Sequence, residues 1–400
     1  MPKGDTLTFN PAQVFNSYDP VPASGIERAA EIMRSGRMFR YSVGRDASEA
    51  ALLERDIAAY VGVRYALGVS SCSSALLLSL VALGVEPGDK VLLPGFTFTA
   101  VPSAVVISRA VPVFVECTRD YRMDVDDFRR KITSDTKVLL LSHMRGHLSD
   151  MDAIVELCNK HGVAMVEDAA HALGERWRGK QAGSFGKTGC FSFQSNKIAN
   201  GGEGGMLVTD EEELMAKAIV LSGAYEGNRR KHFISSPLLD TYGHQLPLHN
   251  VRMTNLTAAI VRPQIPLIAE KAKRYRKMYS YLERALTAGN RIAFPQGHPH
   301  EERIPDSIQF RIEGFTPDQM RAFIKKVNEA GVPIVAFGVG DDNARHFDNW
   351  KYVGERPNLP QTREALANAC DMRLSSNLEE KHLAYLVEVI RDAVRQVGVQ

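Results

Sequence analysis

Between about residues 63 and 220 the chain alternates short, almost continuously apolar runs with longer amphipathic ones. The runs YALGVSS, KVLLPG, PVFVEC, KVLLLSH and VAMVEDA predict buried strands, and SALLLSLVALG and MDAIVELCNKHG predict helices between some of them. Strands that are apolar on both faces and separated by crossover helices imply a parallel sheet covered on both sides. GCFSFQ and GMLVTD add two more strands, joined by a glycine-rich loop. The stretch from Ser222 to Asn250 is polar and irregular and reads as an excursion rather than a core element. From about Ile265 the pattern becomes a long helix (IPLIAEKAKRYRKMYSYLERAL), then the strand SIQFRI, the helix PDQMRAFIKKVNEAG, the strand VPIVAF and a closing helix EEKHLAYLVEVIRDAV. The fold expected is α/β: a large, mostly parallel sheet sandwiched by helices, plus a smaller C-terminal α+β domain. We place an N-terminal arm and the large domain in residues 1–262 and the small domain in 263–400.

Composition narrows the partners. A length of 400 residues suits two domains, and 44% hydrophobic with 24% charged residues is ordinary for a globular protein. Lys and Arg number 49 against 47 Asp and Glu, a net charge of +2, so nothing calls for a nucleic-acid groove or an anionic membrane, and a small-molecule partner is expected. The first twenty residues lack the apolar core of a signal peptide, and no run reaches the length of a membrane span. Five scattered cysteines without CxxC spacing argue for reduced thiols and against a disulfide frame or a zinc site, and a cytoplasmic location follows.

The chemistry lies at strand ends. FSFQSNKIANGGEGGMLVTD sets Lys197 between two strands and follows it with Gly201, Gly202, Gly204 and Gly205. A solvated loop lysine and a hairpin turn would look the same, but a lysine holding a cofactor as a Schiff base would also need backbone able to approach closely. After YALGVSS, Cys72 and Ser73 open a helix, which offers N–H groups to a phosphate, although serines there are more often plain caps. Phe96 and Phe98 follow KVLLPG and can stack on a flat heterocycle or simply fill core. VAMVEDAAHALG ends a very apolar strand with Glu167 and Asp168, then His171; two buried carboxylates imply a cationic partner. Amine, phosphate site, aromatic and carboxylate together are what pyridoxal 5'-phosphate requires: the carboxylate keeps its ring nitrogen protonated and the lysine holds the aldehyde and moves a proton.

These motifs resemble those of the DegT/DnrJ/EryC1/StrS family of pyridoxal-phosphate enzymes, mostly sugar aminotransferases of aspartate aminotransferase-like fold type I. The resemblance runs from about Gly36 to the C-terminus, best in GVEPGDKVLLPGFTFTA, VEDAAHALGERWRGK and FSFQSNKIANGGEGGMLVTD. It implies Lys197 as the Schiff-base lysine, Asp168 as partner of the pyridine nitrogen and His171 as a neighbour of the ring. It further implies Phe98 as the stacking residue, with Cys72, Ser73 and Ser192 at the phosphate. NVRMTNLTAAI resembles the segment whose asparagine, here Asn250, reaches the phosphate of a neighbouring subunit, which implies a homodimer with shared active sites. The chain departs from the family at the phosphate turn, SCS in place of Asn-Gly-Thr. It also has Gln194 where many members have histidine, as in the branch with aminocyclitol aminotransferases and aminohydroxybenzoate synthases.

The resemblance implies an amino donor, glutamate or glutamine, and a keto-sugar, keto-sugar acid or keto-cyclitol acceptor. Arg373 in DMRLSS stands where related amino-acid enzymes clamp a carboxylate, and it equally fits a surface arginine on an edge strand. MFRYS (Met38–Ser42) and ARHFDNWKYV resemble the branch that aminates eight-carbon keto-sugar acids, which brings Arg345, His346 and Trp350 to a substrate loop. The alternatives are dehydration or elimination with the same cofactor, an amino-acid-type aminotransferase of the same fold, and a non-catalytic binding or regulatory protein. Retention of Lys197 with Asp168 favours transamination.

Overall fold

The structure, a computed structural model, describes residues 8–289 and 291–398. Seven strands make the large sheet: β1 (Tyr65–Val69), β2 (Lys90–Pro94), β3 (Val111–Val115), β4 (Thr136–Ser142), β5 (Ala164–Asp168), β6 (Thr188–Ser192) and β7 (Gly205–Thr209). Their order is β1-β7-β6-β5-β4-β2-β3, and β7, antiparallel to both of its neighbours, is the one strand of this sheet that runs against the others. Alternation along each strand feeds two cores. Leu139 and Leu141 of β4 pack on one face with Leu53 and Ile57 of α1 (Glu49–Val61), while Val138 and Leu140 pack on the other with Leu76 and Leu78 of α2 (Cys72–Ala82). The fold is therefore the α/β arrangement that continuous apolar runs imply.

A second sheet, all antiparallel, has the order β8-β9-β11-β10, with β8 Ile292–Ala293, β9 Ser307–Ile312, β10 Val335–Ala336 and β11 Ala369–Arg373. Helices Ile268–Thr287 (α3), Pro317–Glu329 (α4) and Glu380–Gly398 (α5) pack against it, and Phe310, Phe323 and Ile390 join the first of the two cores. Among the described residues no helix is long and apolar enough to cross a membrane.

Three expectations need correction. The helix predicted from Ile265 begins as a 3-10 turn over Arg262–Leu267, because Pro263 and Pro266 lack the N–H an α-helix would use, and α3 starts at Ile268. The strand expected in VPIVAF shrinks to Val335–Ala336, since the N–H of Ile334 is taken by the Asn328 side chain at 2.9 Å. The polar stretch after Ser222 is no mere excursion: Arg229, His232, Ile234 and Leu239 are buried.

His232 belongs to a buried cluster that grips β1. Glu54 of α1 accepts from the Gly68 N–H at 2.8 Å and pairs with Arg40 at 2.7 Å; His232 Nε2 lies 2.8 Å from the Tyr41 hydroxyl. Arg40 and Tyr41 of MFRYS are thus anchored in the interior, against the end of β1. Burial alone would raise the Glu54 pKa, but Arg40 and then His232 bring it down to about 2 from 4.5. Arg40→Met, which leaves a buried carboxylate unpaired, is expected to cost about 3 kcal/mol of stability at neutral pH, read as a lower urea midpoint. Because a depressed carboxylate stabilises above its unfolded pKa and loses that effect as it protonates, the gap between wild type and variant should narrow from about pH 4.5 towards pH 2.

Candidate active site

Because β1, β2, β4, β5 and β6 run the same way, their carboxyl ends open on one edge of the sheet, where ligands of such folds bind. The reversed strand β7 starts at that edge, with Gly205 opposite both Val69 and Ser192. A Cβ on Gly205 would stand 2.3 Å from the Ser71 carbonyl carbon and 2.5 Å from the Cys72 nitrogen. Glycine at the start of β7 is what lets the first turn of α2 sit against the sheet. Ser71 caps that helix, its hydroxyl accepting from the Ser74 N–H at 3.1 Å, and the helix's leading N–H groups lack intrahelical partners.

Over this edge lies a cleft of about 310 Å³ bounded by Ser71, Cys72, Ser73, Phe98, Asp168, His171, Ser192, Gln194 and Lys197 on the sheet side and by Arg145, Arg345 and Arg373 opposite. Asp168 forms its floor at 6% exposure. One of its oxygens accepts from Ser142 Oγ at 2.7 Å, aligned by the β4–β5 register, and the other from the Ala170 N–H at 3.2 Å, with Cys72 Sγ at 3.8 Å. Burial and the Asp168 charge push the Cys72 thiol well up, so it is a protonated donor. Among the described residues Asp168 forms no ion pair, so the cationic partner expected for it is not a side chain of this chain. Glu167 turns away from the cleft and is satisfied by the N–H groups of Gly183, Phe185 and Gly186 at 2.9, 2.6 and 2.8 Å, with His143 Nε2 at 3.0 Å.

Lys197 Nζ lies 3.0 Å from His171 Nε2. Burial, then Arg145 and Arg373, push the amine down to about 7, so much of it is free base at neutral pH. Burial and Lys197 hold the His171 imidazole well below its usual range, so it is neutral and can accept from the amine. Phe98 is 41% exposed at the cleft, a ring with a free face, whereas Phe96 is packed against Phe337 and Tyr121. Ser192 Oγ accepts from the Gln194 N–H at 3.3 Å, which leaves its own hydroxyl proton for a ligand.

These groups fit pyridoxal phosphate. A buried carboxylate without a protein cation suits a protonated ring nitrogen, a helix N-terminus with Ser73 and Ser192 suits the phosphate, and a depressed amine suits the aldehyde.

Two residues expected in the site, Trp350 and His346, lie elsewhere. Trp350 is 3% exposed, donates its indole N–H to the Ala344 carbonyl at 3.0 Å and stacks on Phe114, so it anchors its loop to the core. His346 lies flat against Phe347, buried away from the cleft, because that loop folds its aromatic side inward; Arg345 faces the cleft. Asn250 does not line the cleft of its own chain; it is exposed, with φ 54°. Arg373 ends β11 and reaches the cleft, 3.5 Å from Asp306. Sequence reading missed Arg145 and Ser142. Both stand at the carboxyl end of β4, in KVLLLSHMRGH, and the strand-end rule that found Asp168 applies there equally.

A sequence profile described as the DegT/DnrJ/EryC1/StrS aminotransferase family matches residues 23–391. GDP-perosamine synthase of Caulobacter vibrioides is 37% identical over 257 residues, 64% of this chain and 66% of that protein, just under two thirds of its length. The 3-amino-5-hydroxybenzoate synthase of Amycolatopsis mediterranei is 32% identical over 80% of this chain and 79% of its own. The crystal structure of a 3-amino-5-hydroxybenzoic acid synthase superposes with a TM-score of 0.84 at 26% identity, covering 96% of this chain and 99% of that one.

Gly205→Ala is expected to displace the Ser71–Cys72 turn and weaken retention of added pyridoxal phosphate at least tenfold, measured by equilibrium dialysis, with a lower melting temperature. Capture of pyridoxal phosphate by cofactor-free protein should quicken as pH rises through about 7 and then level off, following the free-base fraction of Lys197. Stopped-flow absorbance would check this, and Lys197→Arg should show no capture.

Proposed function

The chain belongs to the DegT/DnrJ/EryC1/StrS aminotransferase family, and on that premise we propose that it moves an amino group from glutamate or glutamine to a keto-sugar, keto-sugar acid or keto-cyclitol. The observation that carries this reading is the placing of Lys197 and the buried Asp168 on one cleft at the carboxyl edge of the sheet. The names of the relatives, a GDP-perosamine synthase and 3-amino-5-hydroxybenzoate synthases, point to the sugar and cyclitol class.

Pyridoxal phosphate supplies an electron sink for a carbanion next to the transferred nitrogen. The protein's own groups do the rest. Asp168, fixed by Ser142 and Ala170, would keep the proton on the ring nitrogen. The Ser71–Ser73 turn and Ser192 would hold the phosphate, and Phe98 would cover a ring face. Lys197, free base near neutral pH and 3.0 Å from a neutral His171, would hold the cofactor's aldehyde and, once a donor amine has displaced it, take the proton from the carbon that bears the transferred nitrogen. Arg373 would take the donor's α-carboxylate as a bidentate partner.

We assign residues 1–262 to the arm and cofactor-binding domain and 263–400 to a smaller domain that brings Arg345 and Arg373. Homodimerisation is part of the reading. Ile26, Met33, Met38, Phe39, Tyr225 and Leu248 are exposed apolar side chains, and Arg252 lies over both Phe39 and Tyr225 at 5.4 and 5.8 Å, close in sequence to Asn250. An exposed apolar face of this kind suits a two-fold contact through which Asn250 serves a partner's phosphate. The five buried, unpaired cysteines suit the cytoplasm.

The test is the visible spectrum of the protein loaded with pyridoxal phosphate. On adding glutamate or glutamine the band of the lysine-bound cofactor should fall with stoichiometric 2-oxo acid, and Lys197→Ala should show neither change. A band that persists with both donors would exclude this donor pair.

A further inference from the structure

Three arginines face Lys197, and one is enough to hold the α-carboxylate of an amino donor. A second cavity, about 230 Å³, opens on the other side of Lys197 towards Phe15–Asp19 and Ser375, and its wall again includes Arg145, Arg345 and Arg373. The charges of these arginines are unevenly met. Arg373 has Asp306 beside it. Arg145 pairs through one terminal nitrogen with Asp371, yet it is 4% exposed and its Nε is buried without a partner. The Arg345 backbone N–H is held by Asn343 at 3.0 Å, but among the described residues its guanidinium has neither ion pair nor hydrogen bond.

Arg145 is fixed from both sheets. Its backbone follows β4 and stands at φ 56°, ψ 25°, a left-handed conformation that a bulky residue holds only when its surroundings impose it. Its head is held by Asp371 of β11, whose other oxygen accepts from Gln309 Nε2 at 2.9 Å; Gln309 in turn meets His147 at 3.0 Å and Ser307 at 3.0 Å. A guanidinium braced in this way loses little freedom on binding a planar anion. Two half-buried or buried guanidinium groups sharing a wall, with one carboxylate between them, leave the site one anion short.

We propose that Arg145 and Arg345 form a recognition site for a carboxylate remote from the reacting carbon, so that one of the reactants is an acid beyond the α-carboxylate assigned to Arg373. This rests on the aminotransferase reading for its place in a reaction, although the site itself is a matter of binding. A carboxylate suits this pair because paired N–H donors match its two oxygens. Two reactants can bring such a group, a dicarboxylic amino donor or an acidic keto-sugar.

The experiment is calorimetric titration of the cofactor-loaded protein with glutarate, a dicarboxylate, with glucuronate, a sugar acid, and with butyrate and pyrophosphate as controls. It is run on wild type, Arg345→Gln, Arg345→Lys and Arg145→Gln. Arg345→Gln removes no ion pair, so it keeps the test open if Arg145→Gln, which strands Asp371, fails to fold. Loss of at least tenfold in glutarate affinity in Arg345→Gln, with butyrate unchanged and partial recovery in Arg345→Lys, supports the site and identifies the donor as its source. The same pattern for glucuronate supports it and identifies the acceptor. Unchanged affinity for both acids, or pyrophosphate binding more tightly than either, overturns it. Arginine-dependent acid binding in a protein that yields no 2-oxo acid from any amino donor would refute the aminotransferase reading alone and leave this site standing.

Discussion

A carboxylate at 6% exposure, at the end of a central strand and with no cation bonded to it among the described residues, is the constraint around which this molecule is arranged. A buried charge of that kind is costly unless hydrogen bonds and a counter-charge meet it. The fold supplies the hydrogen bonds from the neighbouring strand, where Ser142 stands opposite Asp168 in register, and from the Ala170 backbone. The counter-charge is left to a ligand, and a protonated heterocyclic nitrogen meets that requirement. Glu167, one residue earlier and on the other face of the same strand, shows the contrast: three N–H groups and His143 complete its shell, and it holds structure rather than ligand.

The opposite wall carries the complementary excess. Arg145 belongs by its backbone to the large sheet, and Arg373 belongs to the small one, and both lower the Lys197 amine after burial has done so. The positive wall therefore has two effects from one cause. It keeps the lysine reactive near neutral pH and it attracts anionic reactants to the same spot. Lys197 sits between the Asp168 floor and this wall, and its neighbour His171 is kept neutral first by burial and then by the charges of Lys197 and these arginines.

Glycine and the buried ion pair serve this arrangement from behind. Gly205 allows a reversed strand to begin against the first turn of α2, and the Arg40–Glu54 pair grips Gly68 just upstream of that turn. The shape of the cleft beside the first turn of α2 is thus set by contacts that lie behind it.

Local pattern alone determined the elements and the sheet type, because an apolar run of five to seven residues bounded by turn residues has few other solutions, and the strand-end positions of Cys72, Phe98, Asp168 and Lys197 followed from it. The roles of single residues in the loops were not legible in that way. Arg345, His346 and Trp350 lie within six residues of one another, and sequence treats them alike; only the folding of the loop against Phe114 and Phe347 sends Trp350 and His346 inward and Arg345 to the cleft. Arg145 escaped notice for a related reason. Its placement depends on Asp371, 226 residues away, and pairing over such a distance is decided by how two sheets pack, not by any periodicity in the chain.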